Sequence, residues 1–343
     1  MGQTFSRGAG LAVLLNQHAR GVRASTARRL KEAAPSASVI VTNTREEAEI
    51  AIEEALKRGF RKIVAGGGDG TLTAVATTIR HHVEAMRLAN PGANLPLPEL
   101  GVLKLGTGNA VSDLLGGTNA SEDLRRMAAL TEPSTTSLDL IDCEGVTSPF
   151  VGFGYDAQIL NDFIFIKERA RPNIVKRIVG TPPGYLIAAF GKSAPAQIMR
   201  KHEIEVRVIN AGSRVVRCTP HGMFEREVAP GQVLYQGPIR MLSAGTVPFY
   251  GFRFKMFPYA RKVPGLMQLR ISTTGVAEAM RHLPAIWRGT YDASSIEDYL
   301  VEAVQVRFSE PMPFQVGGDA VGYRREITFG VAPEAFRALD LAA

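Results

Sequence analysis

The sequence predicts an α/β N-terminal domain with a parallel sheet, plus a mainly antiparallel β second domain. Three observations predict this. Strand and helix signals alternate up to about residue 140. Within that region two glycine-rich turns each follow an apolar strand. Beyond it, short strands and turns replace the alternation, and no internal repeat is visible.

Leu11 to Leu15 is the first strand, a basic helix follows, and Ser38 to Val41 is the second strand. Thr44-Arg45-Glu46-Glu47 is a capping box, in which the Thr44 hydroxyl satisfies an early N–H and Glu47 reaches back to the cap. In the helix that follows, Ala48, Ala51, Ile52, Ala55 and Leu56 share one face, and Gly59 closes it in the left-handed position. Phe60 to Ala65 is a buried strand, then Gly66-Gly67-Gly68-Asp69-Gly70-Thr71 turns into a helix carrying Leu72, Val75, Ala76, Ile79, Val83 and Met86 at helical spacing. After a Pro- and Gly-rich connector, Asn90 to Pro98, the strand Leu100 to Leu105 ends in Gly106-Thr107-Gly108-Asn109 and a further helix.

In the second half, Glu203 to Val208 and Arg214 to Cys218, joined through Asn210-Ala211-Gly212, read as a hairpin. Further β signals run through Val233 to Arg240, Gly251 to Met256, Leu266 to Ile271, Val301 to Phe308 and Glu326 to Phe329. Helical stretches interrupt them near Tyr155 to Ala170 and Thr274 to Trp287.

The 343 residues allow about two domains, with 45% hydrophobic and 21% charged residues in a globular balance. A net charge of +7 favours anionic partners without choosing among phosphates, acidic lipid surfaces and nucleic acid. Cys143 and Cys218 cannot form a disulfide framework, so a reducing compartment is expected. No apolar run reaches the ~18 residues of a membrane span. Met1-Gly2-Gln3-Thr4-Phe5-Ser6 fits the myristoylation pattern, which is short enough to have many chance matches.

Only glycine lets several backbone N–H groups close on a phosphate without Cβ clashes, and a following helix adds its positive end. Gly66 to Gly70 meets that requirement. Asp69 is the telling residue, because a carboxylate among phosphate-binding amides is repulsive unless Mg²⁺ or a reacting hydroxyl needs it. A tight strand-to-helix turn with Asp69 as its N-cap is the structural alternative. Both glycine turns follow strands of one parallel sheet, whose carboxyl edge is where ligands bind, so they form two walls of one nucleotide site.

Rival motifs are weaker. Gly191-Lys192-Ser193 lacks P-loop spacing to Gly184. Gly152-Phe153-Gly154-Tyr155-Asp156-Ala157 has the dinucleotide fingerprint, but it follows the parallel-sheet region instead of opening it. The six histidines show no zinc spacing, and there is no Gly-x-Ser-x-Gly elbow. No nucleic-acid motif accompanies the positive charge.

Taken in order, Gly67-Gly68-Asp69-Gly70-Thr71, Gly106-Thr107-Gly108-Asn109, Gly152 to Ala157 and Gln315-Val316-Gly317-Gly318-Asp319 resemble the diacylglycerol kinase catalytic-domain family of lipid kinases, which includes sphingosine and ceramide kinases. The glycine-aspartate loop alone is shared with NAD kinases. The resemblance implies an NAD-kinase/diacylglycerol-kinase-like nucleotide-binding domain over 1–140 and a lipid-substrate domain over 141–321. It implies that about 322–343 packs back on the first domain, with ATP in the cleft between the two. By that resemblance Asn16, Thr42, Gly67, Gly68, Gly70, Thr71, Gly106, Thr107, Gly108 and Asn109 contact the nucleotide. Asp69 serves Mg²⁺ and catalysis, and Asp319 is the general base. Thr44 is better explained as a helix cap.

Three departures from the family pattern stand out. Ala110 replaces the acid expected after Gly-Thr-Gly-Asn, with Asp113 one turn later as a candidate replacement. Gly317-Gly318-Asp319 replaces Asp-Gly-Glu, and Val263-Pro264-Gly265 replaces an Asp-Asp-Gly tied to a structural Mg²⁺ site.

Lys167 to Arg177 is basic, and Pro248 to Phe257 mixes Phe249, Tyr250, Phe252, Phe254 and Phe257 with Arg253 and Lys255. Those features suit a membrane interface, although alternating Phe252, Phe254 and Met256 equally suit a strand burying one face. The expected function is an ATP- and Mg²⁺-dependent lipid kinase acting on diacylglycerol or a related lipid alcohol, cytoplasmic or peripheral at a membrane. Its expected partner is a lipid substrate at a membrane surface, with no nucleic acid, and a homodimer is left open. The alternatives are an NAD kinase and a catalytically impaired nucleotide-binding regulatory homologue.

Overall fold

The computed structural model describes residues 10–92, 94–129, 134–155, 157 and 204–342. The Met1 to Ser6 pattern, most of the helical stretch expected from Tyr155 to Ala170, Lys167 to Arg177 and the Gly191 motif lie outside those residues.

The chain begins with β1 (Leu11–Asn16), α1 (Thr26–Ala33), β2 (Ser38–Thr42), α2 (Arg45–Lys57), β3 (Lys62–Gly67), α3 (Asp69–Ala89), β4 (Glu99–Lys104), α4 (Ala110–Leu114), α5 (Ala120–Ala129) and β5 (Thr135–Leu138). The first four strands pair in parallel in the order β2-β1-β3-β4. Side chains alternate across each strand, so both faces of this sheet need cover. Leu11, Val13 and Leu15 pack with Leu30 of α1 and with Leu124 and Met127 of α5. Leu14 and Ala65 face the other way, onto Ile52 of α2 and Leu72, Val75 and Ile79 of α3. The Thr44 hydroxyl caps α2 by accepting the Glu47 N–H at 3.2 Å. Glu47 itself reaches one residue further back than expected, to the Asn43 N–H at 2.7 Å. Gly59 follows α2 with φ +79°.

The second sheet contains β6 (Ile141–Cys143), β7 (Val146–Ser148), β8 (Phe150–Gly154), β9 (Ile204–Asn210), β10 (Val215–Thr219), β11 (Gly222–Glu225), β12 (Val233–Ile239), β13 (Met241–Gly245), β14 (Met267–Ser272), β15 (Ile296–Val301), β16 (Ala303–Val316) and β17 (Asp319–Val331). Its pairings are antiparallel, in the order β11-β10-β15-β14-β13-β8-β16-β17-β6-β7, with β9 and β12 attached through β16.

Two expectations are corrected. β9 and β10 do not form a hairpin. Both edges of β9 are taken by β12 and β16, and both edges of β10 by β11 and β15, while the Asn210 amide turns the chain by donating to Gly212 O and Val228 O. Gly251 to Met256 is not a strand either. β13 pairs directly with β14, which ejects the intervening segment as a strap, and Gly251, Phe252 and Arg253 all have left-handed φ values of 107°, 48° and 57°. The helical stretch expected near Thr274 to Trp287 is present, as α6 (Val276–Arg281) and α7 (Leu283–Arg288), with Pro284 in the first turn of α7.

The returning segment is shorter than the 322–343 expected. β17 stays in the second sheet through Val331, held between β16 and β6, and only β18 (Phe336–Leu339) crosses back. β18 lies parallel to β4 and antiparallel to β5, inside the first sheet. The two sheets share a core, since Phe150, Val247, Met256, Phe257 and Ala260 pack in the same cluster as α2 and α3. The Thr147 N–H also donates to the Thr77 hydroxyl of α3 at 2.9 Å. Among the described residues no helix is long and apolar enough to cross a membrane.

Candidate active site

The carboxyl ends of β1 to β4 fall on one edge of the sheet, bringing Asn16, Thr42, Gly67 and the turn after Lys104 together. α3 starts at Asp69 with Gly68 as its N-cap. Gly70 and Thr71 therefore lie in the first turn, where backbone N–H groups have no partner within the helix. The second glycine turn packs directly on the first. A methyl group on Gly68 would sit 2.9 Å from Gly106 Cα, and one on Gly106 would overlap Gly68. Asn109, left-handed at φ 53°, closes its own turn: its Oδ1 accepts the Gly106 N–H at 2.8 Å and its Nδ2 donates to Gly106 O at 2.7 Å.

These turns border a cleft of about 690 Å³ with a mixed polar and apolar lining. Of the residues expected at a nucleotide, Asn16, Thr42, Gly68, Gly70, Thr71, Gly106 and Thr107 line it, and the Asn16 amide donates to the Thr71 hydroxyl at 3.0 Å. Gly67 and Asn109 line neither this cleft nor the cavity beside it. Arg20 and Arg45, which the sequence reading did not single out, line the cleft. The missed signal at Arg45 was a cation in the first turn of α2, where the helix dipole disfavours one.

Beside the cleft is an apolar cavity of about 370 Å³, walled by Phe150, Met241, Tyr250, Phe254, Ile286 and Trp287. Asp69 and Gly108 open onto it. Cleft and cavity meet at Gly68, Gly70, Thr107 and Asp319, all of which line both. The strap is seated on the second glycine turn, because the Phe252 N–H donates to Gly108 O at 3.2 Å. The Gln315 side chain joins the strap to the β16–β17 turn, donating to the Tyr250 hydroxyl while accepting the Gly318 N–H.

The Asp69 carboxylate does not cap its own helix. It accepts the N–H groups of Ala110 at 3.0 Å and Val111 at 3.4 Å, at the start of α4. Burial raises its pKa to about 6, against the lowering effect of those two bonds. Burial also raises Asp319, and the charge of Arg45 partly opposes the rise. Asp113, the candidate replacement for the missing acid, is committed elsewhere: Lys104 Nζ lies 2.6 Å from it and Arg253 Nε 3.6 Å. Gly317 has φ +60°, and a side chain there would overlap the Thr73 hydroxyl, so any larger residue at this position is strained. At Val263-Pro264-Gly265 the Gly265 N–H donates to the Asp139 carboxylate at 3.2 Å. Among the described residues no three His, Cys, Asp or Glu side chains cluster as a metal cage. The Gly152 to Gly154 fingerprint lies in β8, between antiparallel β13 and β16.

A parallel α/β domain with paired glycine turns is thus backed by an antiparallel sheet that supplies the wall of an apolar cavity and an acid, Asp319, shared between cavity and cleft. Residues 11–143 match the model of the diacylglycerol kinase catalytic domain. It is 34% identical over 99 residues to "Probable lipid kinase YegS-like" of Stenotrophomonas maltophilia, covering 29% of each chain. It is 32% identical over 99 residues to "Probable lipid kinase YegS" of Escherichia coli O9:H4, covering 29% of this chain and 30% of the relative. The match thus spans under a third of those relatives' length. A crystal structure of a diacylglycerol kinase from Bacillus anthracis superposes with a TM-score of 0.61 at 12% identity, covering 98% of this chain and 99% of the other, which shows a common two-domain fold.

Proposed function

We propose that this protein transfers the γ-phosphoryl group of ATP to the hydroxyl of a lipid alcohol such as diacylglycerol. The observation that carries the reading is the position of Asp319, on the seam between the cleft lined by Asn16, Arg20, Thr42 and Arg45 and the more apolar cavity. A nucleotide in the cleft would present its phosphates to the N-terminus of α3, to the Gly106 to Gly108 amides and to Arg20 and Arg45. An acceptor in the cavity would have an apolar body and a single hydroxyl at the seam. A soluble dinucleotide acceptor fits those walls poorly, which disfavours the NAD kinase alternative.

Asp69 and Asp319 both face the cavity and both have raised pKa values. Each Asp69 oxygen accepts one N–H, which leaves each a lone pair. Asp69 therefore fits a Mg²⁺ ion carried in on nucleotide phosphates, which commonly takes only one or two protein carboxylates. When bound, that ion supplies charge neutralisation on the transferring group. Asp319 takes the proton of the acceptor hydroxyl as its oxygen bonds to the γ-phosphorus and the bond to the ADP oxygen breaks. The glycine turns contribute by positioning, which accounts for much of catalysis in phosphoryl transfer.

The test is to incubate the protein with radiolabelled ATP, Mg²⁺ and separate samples of dioctanoylglycerol, sphingosine, ceramide and NAD. Label in a lipid supports the reading. Label in NAD, or ATP binding with no transfer to any of the four, overturns it.

A further inference from the structure

Gln315 opens the Gln315 to Asp319 motif, yet it lines neither the cleft nor the cavity. Its neighbours on β16, Phe314 and Val316, belong to the core of the second sheet, so its own side chain leaves by the opposite face, where it is completely buried. Burying an amide is costly unless both ends are bonded. Here the oxygen accepts the Gly318 N–H at 3.0 Å and the nitrogen donates to the Tyr250 hydroxyl of the strap.

That link falls where the backbone needs one. Gly317 and Gly318 are both left-handed, with φ values of 60° and 92°, and consecutive glycines have many other conformations open to them. Asp319 follows directly, with its carboxylate over the first turn of α3: both oxygens would lie 3.8 Å from a methyl group on Gly70. A rotation within the two glycines would carry that carboxylate away. The Gly317 N–H is held by Phe150 O at 3.0 Å, and the Gly318 N–H by Gln315. Phe150 and Tyr250 both wall the acceptor cavity, and their ring centroids are 4.4 Å apart. Besides the pairing of β16 with β17, the turn that carries Asp319 is therefore hung from the cavity wall.

We propose that Gln315 is a positioning residue for the phosphoryl transfer: its amide ties the Gly317–Gly318 turn to the Tyr250 strap and so keeps the Asp319 carboxylate aimed at the seam where the acceptor hydroxyl lies. This rests on the lipid-alcohol reading above and adds to it a residue that touches neither substrate.

The test pairs steady-state kinetics on dioctanoylglycerol with hydrogen exchange at the Gly318 amide. Gln315→Leu should lower kcat about a hundredfold and leave KM for ATP and for dioctanoylglycerol within about twofold, because a displacement of ~1 Å at a reacting group costs that much. In the Asp319→Asn background the same substitution should lower kcat no further, since the group it positions is gone. A merely structural residue would lower kcat equally in both backgrounds. Tyr250→Phe removes a single oxygen, so it tests the link even if Gln315→Leu fails to fold; it should act in the same sense, more weakly, and also lose its effect beside Asp319→Asn. Exchange at Gly318 should quicken about tenfold in Gln315→Leu. It should return to the wild-type rate in Gln315→Glu, which keeps an acceptor for the N–H while the Tyr250 hydroxyl turns to donate. An unchanged kcat, a loss that persists in the Asp319→Asn background, or unchanged Gly318 exchange overturns the proposal. If the wild type phosphorylates no dioctanoylglycerol, the kinase reading fails, and the exchange comparison alone then decides whether Gln315 holds the turn.

Discussion

Asp69 in α3 accepts the backbone N–H of Ala110 in α4 at 3.0 Å, so the helix following one glycine turn is capped by the acid that follows the other. A carboxylate is favoured at a helix N-terminus, and here it also locks the two turns at a fixed separation. The bond gives Asp69 a structural duty beside the metal and catalytic duties proposed for it.

Asp69→Asn should therefore lower turnover at least a hundredfold while the protein still folds. The Asp69 pKa is near 6 in the folded protein and 3.8 in the unfolded reference. The folded state thus holds the proton more tightly, and the stability linked to this group is fully present below pH 3.8 and lost as pH rises through 6. The loss amounts to about 3 kcal/mol. In thermal melts between pH 4 and pH 7, the wild type should lose more stability than Asp69→Asn. Identical slopes would show that Asp69 is not the group titrating.

Arg45 opposes the rise in the Asp319 pKa and lines the cleft. Arg45→Gln should raise KM for ATP about tenfold and move the acid limb of the pH–rate profile upward, because the acid loses its nearby positive charge. Asp319→Asn should reduce turnover with ATP affinity intact, as checked by calorimetric titration. A reversal of those two patterns would exchange the roles assigned to the residues.

Restoring the family residue at position 317 should be harmful. Gly317→Asp places a side chain against Thr73 in a left-handed conformation. A cost of about 2 to 4 kcal/mol is expected from strain and overpacking. Chemical denaturation measures it, and adding Thr73→Ala should recover part of the loss.

Met241→Trp should fill the apolar cavity from its β13 wall and raise KM for dioctanoylglycerol about tenfold, leaving ATP affinity unchanged. Steady-state kinetics with each substrate varied in turn separates the two effects.

Periodicity made the first sheet legible, because its strands and helices bury continuous apolar faces and its glycine turns have few alternative uses. The contact of Gly68 with Gly106 follows from strand order, which the α/β alternation implies. The second sheet was harder to read. Alternation identifies a strand but not its partner, so the sequence suggests a β9–β10 hairpin whereas both strands have other partners. The strap carries the same Phe-x-Phe-x-Met alternation as a strand, and only the pairing of β13 with β14 reveals its ejection. Arg20 and Arg45 carry no motif, and the cleft that unites them exists only in three dimensions.

β18 lies between β4 and β5 in the first sheet. The homology-defined segment that ends at residue 143 therefore lacks an interior strand of its own sheet. During synthesis that sheet stays unfinished until the distant carboxyl-terminal stretch leaves the ribosome, with the β4 edge unzipped meanwhile. An excised fragment of residues 11–143 would inherit that raw edge permanently, which makes the full chain the smallest sensible object for biochemistry.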